Sequence, residues 1–331
     1  MHRALLATTQ GDTVHCGVCA RQCELVEGGW GWCRTRRNVS GRLYTMTYGL
    51  VSSLGADPIE KKPLYHFHPG TYVFTAGSWS CNFQCPWCQN WGISKTVHLE
   101  GEFVEPADLI PRAQAHGCQG IAFSYNEPTL SFEWAMDVIP LARSEGLYAA
   151  FVTNGAMTSE ALTHLARAGL EALNVDIKGD PATVLELCGV DGEAPWATCR
   201  RALELGLHLE ITTLVIPGVN DSEDVLSEIS LRIATDLRPS VPWHISAYRP
   251  EYRFEAPPTS RSTLERAWQQ GKDAGLEFVY QGNVAGGRSD TLCPRCGMLL
   301  ARRSGYHVAE ISVENGGCPR CRAPISGVWA G

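Results

Sequence analysis

No stretch of this 331-residue chain runs to about 18 consecutive apolar residues, so no membrane-crossing helix is predicted. Met1 to Gln10 hold no sustained apolar run behind their basic residues, which reads as no secretory signal and as a cytoplasmic location. Basic side chains are in deficit. Against 35 Asp and Glu there are 28 Lys and Arg, a formal net charge of −7. That balance counts against a general nucleic-acid or membrane binder and leaves only a local basic patch for such a partner. What the chain does not lack is cysteine: it has 14. Without a signal sequence these read as metal ligands, because disulfides are rare in the cytosol. The length allows one large domain or two to three smaller ones, and 44% apolar content can fill a large core.

Eleven of the cysteines fall into three groups, and Cys118, Cys188 and Cys199 stand alone as buried small hydrophobes. The middle group, Cys81, Cys85 and Cys88, occupies one short turn spaced C-x3-C-x2-C after the strand-like run Tyr72 to Ala76. Thiolates are soft ligands for iron–sulfur clusters, zinc or copper(I). A [4Fe–4S] cluster takes four cysteines, one per iron, and this loop offers three. Three ligands leave one iron open, as a catalytic site requires. The first group, Cys16, Cys19, Cys23 and Cys33, is a closed set of four, suited to zinc or to a second iron–sulfur cluster. Its compactness favours zinc. The last group pairs Cys293 and Cys296 with Cys318 and Cys321 as C-x2-C-x21-C-x2-C, a strong signal for one zinc or rubredoxin-type iron site. About 40 residues bury little core, so this ribbon is expected to fold around its own metal and to be separable from the rest. Its arginines (Arg295, Arg302, Arg303, Arg320 and Arg322) offer a face for an acidic partner or RNA.

Between the outer groups, strand-like runs at 72–77, 120–125, 147–153, 171–177, 207–215, 241–247 and 276–281 alternate with helix-period segments near 106–117, 130–145, 158–168, 195–205, 221–236 and 259–274. This alternation predicts a parallel sheet with helices outside and chemistry at the C-terminal strand ends. Polar residues gather at those ends: Glu127, Thr153 with Asn154, Asp176 with Lys178, and His244. The segment 49–70, dense in proline, histidine and charge, is expected to wrap the mouth of the site, with His66 and His68 as candidates for substrate contact.

The cysteine loop, with Trp87 just before its third cysteine, resembles that of the radical SAM superfamily. Asp57 to His66, Gln89-Asn90, Tyr125-Asn126-Glu127-Pro128 and the two flanking cysteine modules extend the likeness to the group similar to pyruvate formate-lyase activating enzyme and encoded beside Memo-like and AMMECR-like proteins (the AmmeMemoRadiSam set). The resemblance implies an α/β fold: a partial (β/α)6 barrel over 46–287, between an N-terminal module at 1–45 and a zinc-ribbon or rubredoxin-like module at 288–331. It implies a [4Fe–4S] cluster on Cys81, Cys85 and Cys88 and S-adenosylmethionine (SAM) held by Trp87, Glu127, Thr153, Asn154, Asp176, Lys178 and His244. Glu127 would take the SAM ammonium, Asp176 and Lys178 the carboxylate end, and His244 the ribose. Tyr125 and Asn126 depart from the superfamily by replacing glycines. The implied activity is reductive cleavage of SAM to a 5′-deoxyadenosyl radical, fed by a one-electron donor such as flavodoxin or ferredoxin. The radical would abstract hydrogen from a substrate, or form a glycyl radical on a protein partner. A reading from another class is a zinc-ribbon adaptor for RNA or protein.

Overall fold

The computed structural model describes residues 1–98 and 101–329. Its centre is an open eight-stranded sheet in which every strand neighbours its sequence neighbour. The strands are β1 (Ser53–Pro58), β2 (Tyr72–Gly77), β3 (Gly120–Phe123), β4 (Tyr148–Thr153), β5 (Ala172–Asp176), β6 (His208–Val215), β7 (Trp243–Ala247) and β8 (Val279–Gly282). From β2 to β8 all pairs are parallel, with Ile121 opposite Phe74 and Ala149 and with Ile211 opposite Trp243. These strands are mostly apolar where helices cover them, while the inner face also carries buried polar residues such as Asn174, Glu210 and His244. At Gly120 the close approach of Tyr148 leaves no room for a side chain: a Cβ would lie 2.2 Å from that ring.

Six helices connect the parallel strands: α1 (Pro106–Ala115), α2 (Phe132–Ser144), α3 (Ser159–Ala168), α4 (Glu193–Glu204), α5 (Glu223–Arg232) and α6 (Arg261–Asp273). Local chemistry sets their ends. Pro106 opens α1 at a position that needs no amide hydrogen, and Thr158, Ser222 and Ser260 cap α3, α5 and α6 through side-chain oxygens. Their inner faces pack Leu109, Trp134, Val138, Leu162, Leu165, Leu226 and Leu264 with Phe123, Phe151, Leu173 and Ile245 in one core. Among the described residues no helix is long and apolar enough to cross a membrane.

The segment 49–70 meets its expectation in part. Part of it is β1, which pairs antiparallel with β2, so the sheet gains an edge strand. Of the remainder, Glu60 to Pro63 and Tyr65 line the central cavity, whereas Phe67, His68 and the adjoining Thr71 pack against the starts of strands. Ile59 bonds Thr71, Thr71 bonds Tyr148 at the start of β4, and Phe67 stacks on His208 at the start of β6. Strands β1 and β8 are not bonded to each other. Across that open side lies the ribbon, whose strands are Thr291–Leu292, Leu299–Ser304 and His307–Ile311. At the other end of the chain two three-stranded sheets, within residues 2–45, join the main core through Val14, Val18, Leu25 and Leu43. The buried Arg36 fixes this module to α2 by a two-point ion pair to Glu133, 2.8 and 2.7 Å.

Candidate active site and metal centres

The loop after β2 is pinned from several sides. Ser78 N–H donates to Asn126 Oδ1 (2.9 Å), and Asn126 Nδ2 returns a bond to Ser80 O (3.0 Å). Asn154 Nδ2 donates to Asn82 Oδ1 (2.8 Å) and Lys95 Nζ to Phe83 O (2.9 Å), while Phe83 and Trp87 anchor in an apolar pocket with Ile216 and Tyr248. The result is that Cys81, Cys85 and Cys88 all line one cavity of about 520 Å³. Phe83 N–H lies 3.3 Å and Asn154 Nδ2 3.5 Å from Cys81 Sγ, contacts that suit a thiolate. The three sulfurs do not crowd within 4.8 Å of one another, which suits ligands on separate irons better than ligands of one ion.

The same cavity is lined by Trp87, Glu127, Thr153, Asn154, Asp176, Lys178 and His244. The loop after β2 and the strand ends of β3, β4, β5 and β7 thus bring together the cysteines and the residues expected to hold SAM. Glu127 is nearly saturated. Its Oε1 accepts from Thr129 N, Thr129 Oγ1 and Thr153 Oγ1, and its Oε2 from Asn154 N. A carboxylate offers about four acceptor directions over two oxygens, so Oε2 keeps room for another donor. Burial pushes this carboxyl up from its ordinary value, against the four donors. Thr153 therefore holds Glu127 directly. Lys178 Nζ donates to Asp176 Oδ2 at 2.9 Å. Burial opposes its charge, but Asp176 and the thiols of Cys85 and Cys188 outweigh it and raise the lysine pKa.

Tyr125 stands where the superfamily pattern has glycine, and its φ is +71°. The left-handed conformation costs a non-glycine residue roughly 1–2 kcal/mol. It is held by Tyr125 Oη donating to Asp57 at 2.6 Å and by the Lys62 ammonium 4.6 Å over its ring.

Three features lay outside the sequence reading. Glu210, fully buried, accepts from His66 N (2.7 Å), bonds His208 Nε2 (2.9 Å) and fixes His244 Nε2 (2.6 Å). Burial works against its charge, yet the two histidines hold its pKa well below the usual carboxylate value. Cys188, fully buried at the end of the π-helical turn Val184–Cys188, puts its sulfur 3.3 Å from Cys85 Sγ. It does not line the cavity, so it stands behind Cys85 as a hydrogen-bond partner and not as a fourth ligand. Its S–H lowers the Cys85 pKa, and its own is raised in turn. Tyr306, from the ribbon, lines the cavity. Two candidates for substrate contact fail: His66 is buried between Ser326 O (2.7 Å) and Tyr280 Oη (2.6 Å), and His68 stacks on Tyr148, both away from the cavity. The same segment instead contributes Lys62 and Tyr65.

In the ribbon, Cys293, Cys296, Cys318 and Cys321 bring their sulfurs within 4.8 Å of one another, close enough to hold a metal ion. Cys293 and Cys321 are 3.5 Å apart, and Cys296 and Cys318 are 3.6 Å apart. The N-terminal Cys16, Cys19, Cys23 and Cys33 line one hollow with Val18, Gly31, Leu130, Arg21 and Arg36.

A family model described as the radical SAM superfamily matches residues 80–229, from the cluster loop into α5. An uncharacterized protein of Methanocaldococcus jannaschii is 38% identical over 320 residues, 95% of each chain. Among solved structures, a radical SAM methyltransferase from Sphaerobacter thermophilus superposes with a TM-score of 0.51 at 15% identity, over 88% of this chain and 81% of that one. Streptococcus suis SuiB bound to S-adenosylmethionine gives 0.50 at 14% identity, over 68% and 53%. The cysteine loop, the strand-end residues and the whole-length relative agree: this chain belongs to the radical SAM superfamily, whose members share a [4Fe–4S] cluster and SAM.

Proposed function

We propose that this enzyme holds a [4Fe–4S] cluster on Cys81, Cys85 and Cys88 and cleaves SAM reductively to abstract a hydrogen atom from its substrate. The single observation that carries the reading is the convergence of three thiols, Glu127, Asp176, Lys178 and His244 on one cavity at the strand ends. Bound there, the cluster supplies the electron that splits the SAM sulfonium into methionine and a 5′-deoxyadenosyl radical. The chain's own residues bind and orient. Glu127 Oε2 accepts from the SAM ammonium, Lys178 meets the carboxylate with Asp176 balancing its charge, and Glu210 holds His244 so that its other nitrogen faces the ribose. A low-potential one-electron donor, such as flavodoxin or ferredoxin, supplies the reductant. Fourteen cysteines, eleven of them in ligand-like groups, fit a reducing compartment such as the cytoplasm. Thiolate spacing in the ribbon fits zinc, whose ligands at about 2.3 Å stand roughly 3.8 Å apart in a tetrahedron.

A second reading, glycyl-radical formation on a protein partner as in pyruvate formate-lyase activating enzymes, is favoured by one feature. A second hollow lined by Arg249, Asn283, Gly286 and Arg303 shares Tyr65, Gln89 and Tyr306 with the central cavity, forming a groove that could seat an extended segment. An adaptor would need none of the strand-end residues.

The test is anaerobic: reduced, reconstituted protein is incubated with SAM, and 5′-deoxyadenosine is followed by mass spectrometry. Cys81→Ala, Cys85→Ala and Cys88→Ala should each abolish cleavage, since three ligands leave no spare. Full cleavage by any of them would overturn the reading.

A further inference from the structure

We propose that Cys16, Cys19, Cys23 and Cys33 hold a second [4Fe–4S] cluster beside the radical site, and not a structural zinc ion. The argument starts from sulfur spacing. Thiolates around one zinc ion, each at about 2.3 Å, stand roughly 3.8 Å apart. The ribbon meets that demand, with separations of 3.5 and 3.6 Å and all four sulfurs within 4.8 Å of one another. No three of the N-terminal sulfurs come that close, although the four line a common hollow. They share this wider arrangement with Cys81, Cys85 and Cys88. Thiolates on the separate irons of a cube must stand farther apart than thiolates on a single ion. One chain thus shows both patterns, and the N-terminal set follows the cluster pattern.

The surroundings agree. Val18, Gly31 and Leu130 give the hollow an apolar wall, and Arg36 and Arg21 supply positive charge to a group that four thiolates make anionic. Arg36 is pinned by Glu133, and Arg21 lies 3.5 Å over the Trp32 ring.

The hollow also abuts the radical site. Arg21 Nε donates to Asn82 O at 2.7 Å, and Ser80 Oγ to Cys33 O at 2.7 Å. Asn82 is the sequence neighbour of Cys81. A zinc ion would need no such neighbour, whereas a second cluster there stands one residue from the first.

This inference does not rest on the reaction proposed above, because its test reads metal and not turnover. The full-length chain is reconstituted anaerobically with ferrous iron and sulfide, desalted, and counted for iron, sulfide and zinc, with Mössbauer spectroscopy for iron type. Wild type should bind about eight irons, and Cys81→Ala/Cys85→Ala/Cys88→Ala should keep about four with as many sulfides, all in [4Fe–4S] form. Adding Cys16→Ser and Cys19→Ser should remove those. Zinc, or a lone sulfide-free iron, at the N-terminal site of the triple variant would overturn the proposal. Should that variant not fold, wild type decides alone: about four irons with two mononuclear ions would overturn it.

Discussion

Four donors already converge on the Glu127 carboxylate, so it is both the cap of the turn Pro128–Ser131 and a candidate SAM ligand. Glu127→Gln keeps the shape but replaces one acceptor oxygen by a donor. Charged hydrogen bonds contribute about 1.5–3 kcal/mol against about 1 for neutral ones, so SAM affinity should fall about three- to thirty-fold. Iron content should hold, because Glu127 faces no cysteine sulfur as a ligand. Calorimetry with iron counting checks both; unchanged affinity would leave Glu127 a cap alone. His66 makes a pH prediction. Its burial lowers the ring pKa to about 3, with Glu210 opposing. The unfolded ring titrates near 6.5. Between these values the unfolded state binds a proton that the folded state refuses, so stability falls as pH falls from about 6.5 toward 3. One such group contributes about 1.4 kcal/mol per pH unit, so about 2 kcal/mol should be lost from pH 7 to pH 5. His66→Gln should be less stable at pH 7, and its deficit should shrink by about that amount at pH 5. Urea unfolding midpoints at the two pH values decide it; a constant deficit would exclude the charge explanation.

At the scale of elements, the turn Val184–Cys188 links β5 to the cluster loop. Gly189, at φ +73°, ends it, and a Cβ there would lie 2.7 Å from the Gln84 amide. Gln84 N in turn bonds Cys188 O. Hydrogen bonds to cluster thiolates help to set the reduction potential. Cys188→Ala removes the S–H beside Cys85 but no ligand, so the protein should load iron fully and its reduction midpoint should move to a more negative potential. Redox titration followed by electron paramagnetic resonance reads the shift. An unchanged midpoint would reduce Cys188 to packing, and lost iron would make it a ligand. What was legible in the sequence follows from the same geometry. The parallel strands read as apolar runs with glycine and asparagine at their ends, and the cluster loop announced itself by spacing. Strand β1 did not, because Gly55 and Pro58 break its pattern and only pairing with β2 makes it a strand. Cys188 and Glu210 gave no signal either. A lone cysteine looks like any small hydrophobe, and a glutamate in a strand looks solvated until three donors from distant segments are seen around it.

On the scale of the molecule, the ribbon is less separable than its spacing suggested. The sheet is open between β1 and β8, and the ribbon packs over that gap. Tyr65, Phe278 and Tyr280 of the barrel share one apolar cluster with Leu300, Val313 and Ile325 of the ribbon. Arg303, almost wholly buried, donates to Tyr65 O (2.7 Å) and Thr291 Oγ1 (2.8 Å), and its Nε lies 3.8 Å from Glu60 Oε1. Burial raises the Glu60 carboxyl to about 7, with Arg303 as the largest opposing influence. Val328 pairs with Phe67, and Tyr306 reaches the cavity. The ribbon therefore serves as a wall of the barrel. So small a module buries little apolar surface of its own, so its fold is expected to depend on a metal held by Cys293, Cys296, Cys318 and Cys321. Cys318→Ser/Cys321→Ser should then act at a distance. The loosened ribbon would withdraw Arg303 from Glu60 and bare Tyr65 and Phe278 to water. The double variant should melt at a lower temperature and bind SAM more weakly, while anaerobic reconstitution still loads iron on Cys81, Cys85 and Cys88, which belong to the opposite end of β2. Differential scanning calorimetry, SAM titration and iron counting together test this. A variant that loses its ribbon metal yet melts and binds as wild type does would return the ribbon to an appendage.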